Sequence, residues 1–423
     1  MTNPSTPLSI SVLGSAGGAA RAVLALLNHA AQDADDPLYP VLQQAQLHLV
    51  DMKPQSRSDC MLRYPNLANR ITLHRFDLND RARLREHLAA AETSLVIDVS
   101  WADTIATLEC CHEMGIAYLN SALENTAVDE DERLFGFPLT ERHERLEAVR
   151  AGFDGTRAIL CSGMNPGAVQ WMAIHLLKQH AGEQPLACYI IEHDTSMYRD
   201  EGLLEPETLY SSWSVECFLD EALLSYPMFV RHRMPMYLYE EVYEAEYKVT
   251  VGAHSFYGCL MPHEEVLTLG SRFDMEVGFL YRVNPFTTAT IQSRLGDTDQ
   301  LWDWQQRIID PAIGTVNGED LVGVLLVFED REVYLYNTMA SRDIYPRFGT
   351  NATYFQVACG LYAGLACLLL DAVPPGAHYV DELLLNTDSR YGTYLARHLK
   401  PLVFGENPRS DGLLHQRRRP TTI

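Results

Sequence analysis

Residues 8–31 constrain the fold more than any other stretch of this 423-residue chain. Leu8-Ser9-Ile10-Ser11-Val12-Leu13 is apolar at alternate positions and reads as a short strand. Gly14-Ser15-Ala16-Gly17-Gly18-Ala19-Ala20 follows with no room for a long loop, and Arg21 to Ala31 is rich in alanine and leucine, as a helix requires. A strand that turns through glycines directly into a helix lets the backbone approach an anionic ligand closely. The helix start supplies free N–H groups and a partial positive charge.

The alternation continues. Gln46–Asp51, Ile71–Phe76, Leu95–Val99, Ala117–Asn120 and Ala158–Cys161 read as strands, with helices over Arg81–Ala91 and Thr104–Met114 between them. Such a run implies an α/β, doubly wound parallel sheet of the Rossmann type. After about residue 165 the character changes. Glu246–Val251, Val266–Leu269, Met275–Arg282, Val324–Phe328 and Glu332–Tyr336 read as strands of a second α+β domain with a mostly antiparallel sheet. Thr353 to Asp371 is a helix apolar nearly all round, hence buried. The expected division is 1–162 for the dinucleotide-binding domain, with the helix at about 351–371 packed back on it, 163–350 for the substrate domain, and 372–423 as a C-terminal extension.

The Gly14-x-x-Gly17-x-x-Ala20 turn, with Ser15, Ala16 and Gly18, is placed to cradle a pyrophosphate. Asp51, ending the second strand, can accept hydrogen bonds from ribose hydroxyls and repels a 2′-phosphate, which favours NAD over NADP. Its distance from the glycines exceeds the usual spacing, and an insertion at Asp33–Tyr39 accounts for it. Lys53 and Arg57 keep NADP open. Ser100, after the Leu95–Val99 strand, and Asn165, in the turn Gly163-Met164-Asn165-Pro166-Gly167, join this set, because ligands bind at the carboxyl ends of such strands. Asn165 could equally bond substrate, or serve a plain domain-crossing turn.

Three further clusters carry candidate chemistry. Glu192, His193 and Asp194 end an apolar strand. In Trp213–Glu221 a helix would put Trp213, Glu216 and Asp220 on one face, with Glu221 beside Cys217. A tryptophan face beside carboxylates suits an ammonium group, although an amphipathic helix with solvated acids has the same pattern. His263, Glu264 and Glu265 precede the expected Val266–Leu269 strand. If that segment is extended, only one of the two acids can face a pocket.

Composition narrows the partners. The net charge of −23 argues against nucleic acid and anionic membrane and is compatible with a cationic substrate. The nine cysteines are scattered through apolar segments without CxxC pairs, so reduced thiols in the cytoplasm are expected. The longest apolar runs, around Leu361–Leu370 and Leu321–Phe328, fall short of the ~18 residues of a membrane span. Residues Met1–Pro7 look like a short disordered lead-in rather than a signal peptide. No ligand spacing such as HExxH is present, and no metal is expected.

At these residues the chain resembles bacterial homospermidine synthase, within the saccharopine dehydrogenase-like group. The blocks are Met164–Trp171, Glu192-His193-Asp194-Thr195, Trp213-Ser214-Val215-Glu216, His263-Glu264-Glu265, Asp320–Leu326 and Asn351-Ala352-Thr353, in the family's order. The resemblance implies a homodimer with bound, recycled NAD. A diamine such as putrescine is oxidised to an imine, ammonia is exchanged for a second amine, and the new imine is reduced. By the same resemblance Trp213 would stack on the substrate cation, and Glu221 would bind or deprotonate the amine. Glu265 would hold an ammonium beside His263, Glu192 and Asn165 would line the pocket, and Glu124 would be a further acid. Cys217 stands where the family pattern has glycine and Glu264 where it has asparagine. Ser100–Asp103 matches the family's loop poorly, with Asp103 the candidate acid. Two rivals remain open. One is a saccharopine-type dehydrogenase coupling an amine or amino acid to a carbonyl compound, for which Arg199, Arg231, Arg233 or Arg347 would face a carboxylate. The other is a non-catalytic NAD sensor.

Overall fold

The computed structural model describes residues 8–421, so the Met1–Pro7 segment lies outside the described residues. Two compact units divide the chain: residues 1–130, 142–163 and 357–395 form the first, and 131–141, 164–356 and 396–423 the second.

In the first unit seven strands make one sheet in the order Gly376–Tyr379, Arg157–Leu160, Ala117–Asn120, Leu95–Asp98, Ser9–Leu13, Gln46–Asp51, Ile71–Arg75, and every pairing is parallel. The chain reverses direction across the sheet between Ser9–Leu13 and Leu95–Asp98, the switch point where such folds bind ligands. Ile10, Val12, Leu47, Leu49, Val96 and Ile97 are fully buried, as expected of strands covered on both faces. The Asp33–Tyr39 insertion is packed: buried Asp36 accepts hydrogen bonds from the Tyr362 hydroxyl at 2.6 Å and the Leu38 amide at 2.9 Å.

The second unit is built on a ten-stranded sheet. Its main path is Leu402–Asn407, Glu332–Met339, Asp320–Val327, Ala187–Asp194, Glu276–Arg282, His254–Met261, Ala245–Val251 and Arg418–Pro420. The hairpin Met228–Arg231/Met234–Tyr237 joins at Glu276–Arg282. All pairings are antiparallel except that of Ala187–Asp194 with Glu276–Arg282. The two-residue period of a strand sorts this sheet into two chemistries. One face carries an apolar cluster that includes Tyr189, Ile191, Leu280, Leu321, Leu325, Tyr247 and Val249. The alternate positions Glu192, Asp194, Phe279, Tyr281 and Asp320 belong to the other face.

Three expectations are corrected. Residues 372–423 are not an appended extension: Gly376–Tyr379 completes the first sheet, and Leu402–Asn407 and Arg418–Pro420 extend the second. Val266–Leu269 is not a strand but part of the helix Glu264–Arg272. A short apolar run does not distinguish the two, and the acids Glu264 and Glu265 in the first turn favour a helix N-terminus. The apolar helix Ala352–Leu370 is longer than the apolar runs in the sequence suggest. By length and composition it could cross a membrane, yet 78% of its apolar window is buried within the protein, as in a core helix. Its tight packing depends on glycine: a Cβ on Gly360 would lie 1.8 Å from the Gly163 carbonyl oxygen.

Candidate active site

The glycine turn of the first unit is shaped as a cradle. Gly14 has φ +73°, and a Cβ there would lie 2.6 Å from the Val99 carbonyl oxygen and 2.7 Å from the Ser100 Cα. Glycine is therefore required both for conformation and for the close approach of the two switch-point loops. The turn is pinned from beneath. The Ser15 amide donates to the Val50 carbonyl at 3.1 Å, and the Ala16 amide donates to Asp51 Oδ2 at 2.8 Å. Asp51 Oδ1 also accepts from the Lys53 amide at 2.8 Å. Asp51 thus braces the turn, a role that its strand-final position did not announce. The helix Gly18–Ala30 starts at Gly17 with no side-chain cap, so its first amides remain for an anion. These features fit the pyrophosphate and ribose of NAD.

Ser100 donates from both its amide (3.1 Å) and its hydroxyl (2.7 Å) to Asp98 Oδ1. Asp98, not singled out from the sequence, is buried at the end of its strand. Burial lifts its carboxyl to about 6, although hydrogen bonds from Ser100 and Tyr118 oppose the rise. Asp103 caps the helix Thr104–Glu113 by accepting from the Ala106 amide. Glu124 lies in this unit, half-buried, its backbone paired with Thr104.

The second unit gathers the other candidates, Asn165, Glu192, Trp213, Glu221, His263 and Glu265. Asn165 Nδ2 donates to Glu192 Oε2 at 2.6 Å. Glu192 pairs across the sheet with Tyr281 on one side and with Val322 on the other, which puts it near Asp194 and Asp320. All three carboxyls are buried. Burial drives Glu192 well above the carboxylate range; Asp320 raises it further, Asn165 opposes the rise, Asp194 adds to it and His263 lowers it. His193, on the opposite face, stacks on Phe256, with ring centroids 4.4 Å apart.

Trp213 does not lie on the expected helical face. The helix is Val215–Leu223, capped by Ser214, so Trp213 precedes it and Glu216 is exposed. Capping by serine sets the boundary, because the Ser214 hydroxyl accepts from the Cys217 amide. Trp213 Nε1 instead donates to the Tyr281 hydroxyl at 3.1 Å. Tyr281 stacks on Phe279 at 5.6 Å, and Phe279 meets the His263 ring edge-on at 4.8 Å. This aromatic row connects the Glu192 group with a second acidic group.

That second group is His263, Glu221, Glu264 and Glu265. The helical first turn brings both acids to the histidine, contrary to the extended geometry expected. His263 Nδ1 bonds Glu265 and lies 3.5 Å from Glu264 Oε2, while its Nε2 lies 3.8 Å from Glu221 Oε1. Burial works against the imidazolium, but Glu265, Glu221 and Glu264 outweigh it and hold His263 well above its ordinary range. Burial raises Glu221 to about 8, His263 lowers it, and Glu264, Asp220 and Glu265 raise it. One oxygen each of Glu221, Glu265 and Asp320 is buried without a hydrogen bond. Among the described residues no lysine or arginine pairs with Glu192, Asp194, Asp320, Glu221 or Glu265. A buried set of acceptors with one cation among them fits an incoming cation. His263, Glu264 and Glu265 also lie close enough, with ligand atoms within 4.8 Å, for a metal ion to be considered. The helical turn creates that proximity without a metal-binding spacing in the sequence.

The arginines suggested for a carboxylate substrate lie elsewhere. Arg199, Arg233 and Arg347 are exposed, and Arg231 is paired with Glu276.

The architecture defines a class of fold, that of saccharopine dehydrogenase, here with a Rossmann unit and an acid-lined second unit. Saccharopine dehydrogenase (L-Glu forming) from Saccharomyces cerevisiae matches over 95% of this chain and 99% of its own, with a TM-score of 0.54 at 11% identity, a likeness of fold. In sequence the chain is similar to homospermidine synthase from Blastochloris viridis, 26% identical over 335 residues, 65% of this chain and 68% of that protein. The resemblance read from the motif blocks therefore holds. No family model matches the chain.

Proposed function

We propose that the protein is an NAD-dependent oxidoreductase of amines, and more narrowly a homospermidine synthase-like aminoalkyl transferase acting on putrescine or a related diamine. The observation that carries this reading is the pair of buried acid groups joined by the Trp213–Tyr281–Phe279–His263 row, with no lysine or arginine among the described residues neutralising their central carboxyls. NAD, when bound, supplies a hydride acceptor for the amine carbon and a donor for the later imine. The chain's residues do the rest. Trp213 and the acids bind the ammonium ends by cation–π attraction and charge. Glu192, oriented by Asn165, takes the proton that an ammonium must lose before its carbon can be oxidised. Glu221, poised near neutrality, and His263 with Glu265 exchange protons as ammonia leaves and the second amine adds. Burial excludes the water that would hydrolyse the imine. Glu124 is the further acid that the resemblance implies, and a homodimer remains an expectation of it.

The test is incubation of the purified protein with catalytic NAD and putrescine, with products read by mass spectrometry and free ammonia measured. Homospermidine with stoichiometric ammonia and no net NADH is expected. Stoichiometric oxidation of NADH or NADPH with an amine or amino acid plus a carbonyl compound, and no product from a diamine, would replace the transferase with a dehydrogenase.

A further inference from the structure

Three short contacts join two buried carboxyls end to end. Ser212 Oγ lies 2.7 Å from Asp194 Oδ2, Thr353 Oγ1 lies 2.8 Å from Ser212 Oγ, and Thr353 Oγ1 lies 2.5 Å from Asp320 Oδ2. Asp194 and Asp320 are 0% exposed, Ser212 1% and Thr353 8%. Each oxygen–oxygen contact needs one proton, and the two hydroxyls supply only two. The third must sit on a carboxyl. With both acids ionised, one contact would press two lone pairs together, and with both protonated, one proton would have no acceptor in the chain. Asp194 Oδ1 also accepts from the Ser196 amide at 2.8 Å, whereas Asp320 Oδ1 is buried with no hydrogen bond. Asp194 is therefore the better anion, and the resting proton lies on Asp320.

We propose that Asp194, Ser212, Thr353 and Asp320 form a one-proton relay whose two charge states stand beside Glu192 and govern when Glu192 holds the amine proton. The shift is balanced. Asp320 passes its proton to Thr353, Thr353 passes its own to Ser212, and Ser212 passes its own to Asp194. Three O–H bonds break, three form, and the negative charge moves from Asp194 to Asp320. Asp320 bears on Glu192 more strongly than Asp194 does. Charge on Asp194 leaves Glu192 free to ionise, and charge on Asp320 drives it to keep a proton. The other groups facing Glu192 are Asn165 from its turn, Tyr281 from the neighbouring strand and His263 from the start of its helix. The four relay residues act through Glu192 and are positioning residues; their role in turnover rests on the amine chemistry proposed above.

The test compares full-length wild type with Thr353→Val, which cuts the relay, and Thr353→Ser, which restores it. In putrescine turnover with NAD, the pH limb set by Glu192 is expected to move by about one unit or more in Thr353→Val and to return in Thr353→Ser. A Thr353→Val profile that coincides with wild type would overturn the relay. If Thr353→Val fails to fold, Ser212→Ala breaks the adjacent link and is read in the same way. Infrared spectroscopy of the carboxyl stretch separates this inference from the functional reading. A protonated-carboxyl band at neutral pH that disappears in Asp320→Asn is expected, and its absence overturns the relay whether or not putrescine turns over. The band without diamine turnover would leave the relay standing and remove the transferase.

Discussion

Asn165 donates a 2.6 Å hydrogen bond to the Glu192 carboxyl, so one residue of a turn orients an acid near the end of the Ala187–Asp194 strand. A hydrogen bond to the ionised form favours that form and opposes the upward pull of burial and of Asp320. Asn165→Ala removes the opposition. Glu192 then stays protonated to higher pH, and the basic group's limb of the kcat/KM profile moves up. A loss of roughly 10- to 100-fold at neutral pH is expected, measured as steady-state amine oxidation across pH. An unmoved limb would show that Glu192 is not the base.

Glu221 titrates at about 8, so at pH 7 it is mostly protonated before substrate arrives. An ammonium beside it favours the carboxylate. Diamine binding at pH 7 should therefore release protons, and at pH 9 the release should fade. Calorimetry in buffers of different ionisation enthalpy reads this directly. Glu221→Gln is expected to abolish the release and weaken putrescine binding about 10-fold or more.

Trp213 donates its indole N–H to Tyr281, and under the proposed function its ring face meets the substrate cation. Trp213→Phe keeps a weaker π face and loses the donor, so KM for putrescine should rise several-fold. Trp213→Ala should cost ~1–2 kcal/mol of binding. If neither variant changes KM or kcat, the ring does not touch substrate.

Gly14→Ala tests the cradle. Its φ of +73° and the Val99 carbonyl at 2.6 Å leave no room for a methyl group. The switch-point loops must separate, at about 1–3 kcal/mol. NAD affinity, read by fluorescence titration, should fall at least about 10-fold while putrescine protons are still released at Glu221.

The first unit contains an acid-sensitive core. His48 Nδ1 lies 3.0 Å from His74 Nε2, and the His74 and His87 rings are 4.4 Å apart. Burial and mutual repulsion lower His48 and bring His87 to about 4, and burial lowers His74. The unfolded chain binds protons below about pH 6.5 that the folded chain refuses. Stability is thus complete above about 6.5 and lost as pH falls toward 4. His87→Gln should flatten that fall in denaturant titrations at pH 5 against pH 7.5, recovering up to roughly 2 kcal/mol.

The local signals carried the first unit. Strand, glycine turn and helix follow one another within 8–31, and the strands carry apolar residues at alternate or successive positions, so periodicity and turn chemistry agree. The same local rules named Asn165, Glu192, Trp213, Glu221, His263 and Glu265 as separate clusters, and the resemblance to homospermidine synthase only implied a common chemistry for them. Only the tertiary structure decided how they meet. Helix or strand at Val266–Leu269 is a choice a short apolar run leaves open, and its resolution as a helix brings both Glu264 and Glu265 onto His263. Strand pairing depends on register between segments far apart in the chain, so Asp320 beside Asp194, and Tyr281 beside Glu192, could not be read along the chain. The sequence by itself determined which groups are available. Burial and register decided which of them meet, because both depend on what lies across the sheet rather than on the neighbouring residue.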